Sequence, residues 1–439
     1  VELLAKGTMN QPALQNIIVL FNSGRIEAAA TSCLEFLVQH PDHARALLLM
    51  SAIHHRRANR EASLGCLWRA AQAFDADTKG VLDVVAAMQR IGAVDEAGEV
   101  LERMSDNQPE VASLLAQNEW RRGNYPAALE RFRLALQRWP QMAESHLACA
   151  RAALRLGYRD EALRVVNEGL ERFAGNDQLH RLKIAVLLDQ QDVSSSLLHA
   201  RELPVSSPEM SFLSNALRSA LTNAAFQPPA LAKDARMDAL VSSCQWVLAQ
   251  AGKPTWFGTA TGLLEWAAHN AAAHGLIVEC GVFHGMSINL LAGWTGREIH
   301  GFDSFEGLPE GWNADEPAGS YSTEGVLPVT AGQVILHPGW FNETLPLFAA
   351  DLQLPISLLH VDCDLYSSTR TVLQCLGPHL QHGSLLVFDD FLAYPGYEQH
   401  EFKAAQEFFQ TSSLGFSLQA TVLLGRAVAF RVEQDSRSP

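Results

Sequence analysis

Two apolar runs in the C-terminal half of the chain end in paired acids. Leu358 to Val361 leads into Asp362-Cys363-Asp364, and Ser384 to Phe388 leads into Asp389-Asp390. If the runs are neighbouring parallel strands, their carboxyl ends share one sheet edge and the four carboxylates meet in one cleft. Like charges so close repel, unless a cation lies among them. A site built only of oxygen donors suits a hard divalent ion, Mg2+ first, with Mn2+ and Ca2+ as alternatives. Strand alternation would point Asp362 and Asp364 to the same side, leaving one as a ligand and the other as a base. Charge alone does not say which. Helix capping is the ordinary role for such acids, and Asp364 before Ser367-Ser368-Thr369 suits it. Two pairs after two strands exceed what capping needs.

A second constellation precedes these acids. The run Leu276 to Cys280 leads into Gly281-Val282-Phe283-His284-Gly285-Met286-Ser287, a strand-to-helix turn with two glycines. Ligands of open α/β sheets bind over such turns. The spacing departs from the dinucleotide fingerprint, whose glycines admit a pyrophosphate. Adenosylmethionine carries no phosphate, and Glu279 suits the surroundings of its amino group or sulfonium. About 20 residues further on, Asp303-Ser304 ends the next run, where an acid suits ribose hydroxyls. Capping is again the alternative, and a ribose contact does not by itself separate adenosylmethionine from NAD. The candidate donor contacts are Glu279, Gly281, Gly285, Ser287, Asp303, Ser304 and Asp362.

These turns need a sheet to hold them. Residues 276–280, 298–302, 334–336, 356–361 and 384–388 are short apolar runs with helical text between them, the pattern of a parallel sheet covered on both faces. Residues 416–424 and 426–432 predict a closing hairpin with one antiparallel strand. Helices are expected at 237–250 and 261–273.

The N-terminal half follows another rule. Turn signatures recur at Gly24, Ala58, Gly92, Gly123 and Gly157, about 34 residues apart, the period of tetratricopeptide repeats. A small residue ends the first helix, an alanine early in the second lets the pair close, and a proline such as Pro41 or Pro140 stops it. The resemblance to these repeats covers roughly residues 10 to 205, with a degenerate sixth unit through Leu182 to Pro208. Such arrays bind peptides or partner domains, or serve as spacers and self-association modules. Paired prolines Pro228 and Pro229 exclude a continuous helix. The expected division is therefore a helical repeat domain over 1–221, a linker over 222–235 and a catalytic domain over 236–439.

Composition sets the outer limits. The chain has 439 residues, 48% of them hydrophobic and 18% charged, which marks a globular protein of two or three units. A formal net charge of -15 argues against a nucleic-acid partner. The seven cysteines lack CxxC spacing, which suits reduced thiols in the cytoplasm. No run is long enough to span a membrane. No signal peptide is expected at the start, and Val1 is not a native first residue.

Residues from about 275 to 432 resemble the macrocin O-methyltransferase (TylF-like) family of class I methyltransferases, which act on sugar hydroxyls of antibiotics. The resemblance is carried by Glu279-Cys280-Gly281-Val282, by Phe302 through Pro309, by Gly339 through Pro346, by Val361 through Thr369, and by Gly383 through Phe391. Tyr394-Pro395-Gly396-Tyr397 and Lys403-Ala404 also fit, while Cys363 stands where the family usually has glycine. With the repeat array before it, the expected fold is an α-solenoid of tetratricopeptide-like repeats followed by the α/β Rossmann-like methyltransferase domain that this resemblance implies. The resemblance implies S-adenosylmethionine as cofactor, Mg2+ or another divalent cation held by Asp362, Asp389 and Asp390, and Asp364 as general base. It also implies that Glu279 and Gly281 line the donor pocket and that Asp303 holds the ribose. The acceptor it implies is a sugar or glycosylated small molecule. Two other readings stand beside it. In one, the repeats dock a peptide, carrier-bound or polysaccharide substrate. In the other, the chain is a repeat scaffold with an inactive methyltransferase domain, against which the intact acidic set argues.

Overall fold

The computed structural model describes residues 12–434, except 58, 75–76, 105–106, 204–207, 223, 228–233 and 314–315. Ala58 and Asp75 of the second repeat, and the Pro228-Pro229 break, lie outside the described residues. The chain forms two compact units, Val1–Trp139 and Pro140–Pro439.

The first unit consists of helical hairpins: α1 (Pro12–Asn22) with α2 (Ile26–Gln39), α3 (Ala44–Arg56) with α4 (Arg60–Phe74), α5 (Thr78–Arg90) with α6 (Val94–Glu102), and α7 (Pro109–Arg121) with α8 (Tyr125–Arg138). The second unit opens with two more, α9 (Ala143–Arg155) with α10 (Arg159–Arg172) and α11 (Asp177–Asp189) with α12 (Val193–Glu202), then α13 (Pro208–Thr222). The described turn glycines Gly24, Gly92, Gly123 and Gly157 all have positive φ, between 74° and 81°. That conformation is easy for glycine and costly for other residues. The sixth turn lies one period beyond Gly157, at Gln191, which adopts the same left-handed conformation (φ 57°) without being glycine.

The repeat is also written in burial. Five residues after each turn stand Ala29, Ser63, Ala97, Ala128, Ala162 and Ser196, and every one is fully buried. A small side chain there lets the two helices of a hairpin approach. The two serines satisfy their hydroxyls locally, Ser63 donating to the Ser51 carbonyl and Ser196 to the Asp192 carbonyl.

The rest of the second unit is an α/β domain. In chain order it runs α14 (Ala235–Leu248), β1 (Thr255–Phe257), α15 (Ala260–Asn270), β2 (Leu276–Cys280), α16 (Met286–Thr295), β3 (Ile299–Asp303), β4 (Val334–Pro338), α17 (Phe341–Asp351), β5 (Ile356–Val361), α18 (Tyr366–Leu376), β6 (Leu380–Phe388), α19 (Glu401–Thr411), β7 (Gly415–Val422) and β8 (Val428–Glu433). The eight strands lie in the order β1-β7-β8-β6-β5-β2-β3-β4. Only β8 runs against its neighbours, as the expected closing hairpin requires. The short edge strand β1, beside β7, was not expected. Alternation along the strands feeds two cores. Val278, Leu359, Leu386 and Phe388 face one layer of helices, and Ile277, Leu358, Leu385 and Val387 face the other. Among the described residues no helix is long and apolar enough to cross a membrane.

Candidate functional site

The strand register builds the site. Cys280 pairs with Val361 and with Phe302, and Val361 pairs with Phe388, so β2, β3, β5 and β6 end level with one another. The ladder runs one residue past the strands, with Asp362 N–H donating to the Cys280 carbonyl at 2.9 Å and Asp389 N–H to the Val361 carbonyl at 3.0 Å. Both acidic pairs are therefore delivered to the same edge, as the sequence led us to expect.

Carboxylate oxygens of Asp362, Asp364 and Asp390 lie within 4.8 Å of one another. Alternation is not what joins the first two, because both lie beyond the end of β5. The chain instead turns sharply there. Leu365 N–H donates to the Cys363 carbonyl at 2.6 Å, and Asp364 takes a left-handed backbone (φ 60°). A left-handed aspartate costs roughly 1–2 kcal/mol, so the strain sits on the residue expected to be the base. Asp389 stands outside this converging trio, yet it is the strongest charge acting on Asp362.

Burial and mutual repulsion set the protonation of the group. Burial, then the charges of Asp389 and Asp364, push Asp362 well above the ordinary carboxylate range. Asp364 is pushed up to about 9, by burial and by its hydrogen-bonded neighbour Asp390. Asp389 is pushed up to about 6, by burial and Asp390, against the pull of His360, Arg155 and Arg426. Carboxylates crowded this way are an unfavourable arrangement on their own and a suitable cage for a hard cation.

Sequence reasoning missed three residues around them. Glu401, at the start of α19, is fully buried, and its two oxygens accept the N–H of Cys363 at 3.3 Å and of Asp390 at 3.0 Å. One side chain thus ties the two acid-bearing turns together. Arg426, in the turn between β7 and β8, pairs with Asp390 and lies over the rings of Trp312 and Tyr394 at 5.3 and 4.9 Å. His360, inside β5, bonds Glu279 at 2.8 Å, and its other ring nitrogen is buried with no protein partner. None of the three carries a local signal: one reads as a helix-start acid, one as a hairpin cation, one as a strand interior.

The residues expected to face the donor also gather at this edge. Glu279 is fully buried, accepting from Ser287 Oγ at 3.0 Å as well as facing His360. It thereby fixes the first turn of α16 to the sheet from below. Asp303 accepts the N–H groups of Val282 and Phe283 through one oxygen and of Phe305 through the other, all at 2.8 Å. No helix follows Asp303 directly, so it braces the glycine turn rather than capping a helix. Ser304 closes a local turn with Glu306 and Gly307. Gly285 stands at the N-cap of α16 with φ 74°. Gly281 has φ 95°, and a Cβ there would stand 1.7 Å from the Asp362 carbonyl oxygen. Only glycine lets this turn and the acid turn come so close.

Known proteins resemble each half of the chain. Residues 264–414 match the family Macrocin-O-methyltransferase (TylF), and residues 119–184 match the tetratricopeptide repeat. Among curated proteins, the 8-demethyl-8-(2,3-dimethoxy-alpha-L-rhamnosyl)-tetracenomycin-C 4'-O-methyltransferase of Streptomyces olivaceus is 31% identical over 155 residues, covering 29% of this chain and 58% of the relative. The demethyldecarbamoylnovobiocin O-methyltransferase of Streptomyces niveus is 30% identical over 145 residues, covering 28% of this chain and 54% of the relative. The chain thus spans a little over half the length of the curated relatives it matches. The solved O-methyltransferase NovP is similar at 22% identity and a TM-score of 0.31, covering 40% of this chain and 79% of that one. Pseudomonas aeruginosa pilF is similar at 14% identity and a TM-score of 0.32, covering 45% and 93%.

Proposed function

We propose that the macrocin-O-methyltransferase domain of this chain moves the methyl group of S-adenosylmethionine to a hydroxyl of a sugar or glycosylated natural product. The observation that carries the reading is the convergence of Asp362, Asp364 and Asp390 beside the Gly281 turn. An acid-lined edge beside this glycine turn supports an acceptor side next to a donor side.

In this reading the donor lies over residues 281–287, on a turn that Glu279 and Asp303 hold, with Asp303 at its ribose side and Ser304 next to it. Asp362, Asp389 and Asp390 are the candidate ligands of a divalent cation, and Glu401 and Arg426 keep them in place. The ion, when bound, supplies the positive charge that fixes and acidifies an acceptor hydroxyl. Asp364 takes the hydroxyl proton on a carboxylate oxygen. The acceptor oxygen forms its bond to the methyl carbon as the carbon–sulfur bond breaks, and its electron pair stays on sulfur. Because the sulfonium methyl is already activated, alignment supplies much of the remaining acceleration. Both curated relatives are named for small-molecule acceptors, one of them rhamnosylated, which favours that class over a peptide.

The test is direct. Asp364→Ala and Asp389→Asn are expected to lower methyl transfer to a glycoside panel by at least a thousandfold, while calorimetric affinity for S-adenosylmethionine stays within about threefold. Full activity in Asp364→Ala removes it as the base.

A further inference from the structure

The last repeat hairpins belong to the same compact unit as the α/β domain, and several of their polar contacts gather just beyond β1. Strand β1 is parallel to β7, and β7 and β6 both run against β8, so β1 ends at the same edge as β6 and the acids. The residues just beyond β1 are where the repeats attach. Asp189, at the end of α11 and 5% exposed, accepts Gly258 N–H at 2.8 Å and Thr259 N–H at 3.1 Å. Its second oxygen accepts the Thr259 hydroxyl at 2.5 Å. Gln191, in the left-handed turn, donates to the Trp256 carbonyl at 3.3 Å. Thr261 donates to the Arg155 carbonyl at 3.0 Å, and Arg159 pairs with Glu265.

Sterics fix this seating as firmly as the polar contacts do. A Cβ on Gly258 would stand 2.1 Å from the Ala185 carbonyl oxygen, and one on Gly262 2.3 Å from Asp189 Oδ1. From the latch, one short path leads to the acids. Leu423 N–H donates to the Phe257 carbonyl at 2.8 Å. Leu423 begins the β7–β8 turn, whose Arg426 pairs with Asp390 and whose Arg426 carbonyl accepts from Phe391 and Leu392.

We propose that α9 to α12 form one wall of the acceptor side of the centre, with Asp189 as a positioning residue that acts through the β7–β8 turn on Asp390. The wall is a specificity element for the acceptor and leaves the donor turn, which lies across β5 and β2, untouched. This inference rests on the methyl transfer proposed above for its catalytic meaning, though its structural part does not.

The test uses the full chain with Asp189→Ala and the milder Thr259→Val, which removes one hydroxyl. Hydrogen exchange is expected to quicken at least tenfold in residues 257–262, then in 423–427 and 389–392, with 276–287 unchanged. Exchange that quickens only in 257–262 overturns the path to the acids. In steady-state kinetics both variants are expected to raise the acceptor KM at least fivefold with the donor KM within twofold. Equal changes in the two constants, or none, overturn the acceptor wall. A wild-type chain that methylates no glycoside while exchange still spreads to 389–392 refutes the proposed reaction and leaves the positioning role supported.

Discussion

At the scale of single residues, the four clustered acids carry the strongest consequence. An aspartate unfolds to an ordinary pKa of roughly 4, whereas Asp389 and Asp364 in the fold are pushed up to about 6 and about 9. The folded chain therefore holds protons that the unfolded chain has lost, and stability falls as pH rises through that window. Without divalent ions, the melting temperature is expected to drop between pH 6 and pH 9. Millimolar Mg2+ or Mn2+ is expected to flatten that slope and to stabilise more at pH 9 than at pH 6; scanning calorimetry on chelated and loaded protein measures both. An unchanged slope would mean that no cation enters the cluster. The acids themselves were legible in the sequence because two apolar runs end in them. The φ of Asp364 was not, since a turn past a strand end leaves no periodic trace.

At the scale of elements, the site depends on ties between neighbours rather than on any one strand. Helix α19 contributes Glu401, which spans the gap between the turns after β5 and β6. In Glu401→Gln, an amide nitrogen faces one of two buried N–H groups, and an unsatisfied buried donor costs about 1–3 kcal/mol. Urea denaturation is expected to read a loss of that size, together with weaker Mn2+ binding in a calorimetric titration. The variant with wild-type metal affinity would reduce Glu401 to a packing role. Periodicity and flanking residues gave β2, β5 and the closing hairpin within about two residues, because buried strands need continuous apolar text. Strand β1 escaped for the opposite reason. It has only three residues, Thr255 to Phe257, and its existence depends on pairing with β7, more than 150 residues downstream.

At the scale of the whole molecule, the repeat period was the most legible feature, yet it did not reveal that the array ends inside another compact unit. The apolar seam joining Ile184, Leu188, Met210, Phe212 and Leu217 to Ala239, Leu240 and Trp256 explains why. Those helices look like any repeat helix in sequence, because a face buried against a sheet domain and a face buried against another repeat use the same side chains. A chain begun at Pro140 is expected to fold cooperatively and to keep whatever methyl transfer the full chain performs. One begun at 236 is expected to aggregate, because the same seam is left bare to water; size-exclusion chromatography and thermal melts distinguish the two. A chain begun at 236 that stays monomeric with an unchanged melt would show that the seam contributes little.

The left-handed turn at Gln191 has a consequence for how such a chain can grow. It stands one full period after Gly157 and carries Asp189 to the α/β domain two residues before it, so the array is held in phase from its last hairpin. Duplication of a whole repeat before residue 140 leaves the spacing from Gly157 to Asp189 intact. An insertion inside α11, between Asp177 and Asp189, turns Asp189 away from Gly258. Descendants of this architecture should thus differ in how many hairpins they carry upstream while keeping the final one, with its acid and the facing Gly-Thr pair, at a fixed distance from the catalytic strands.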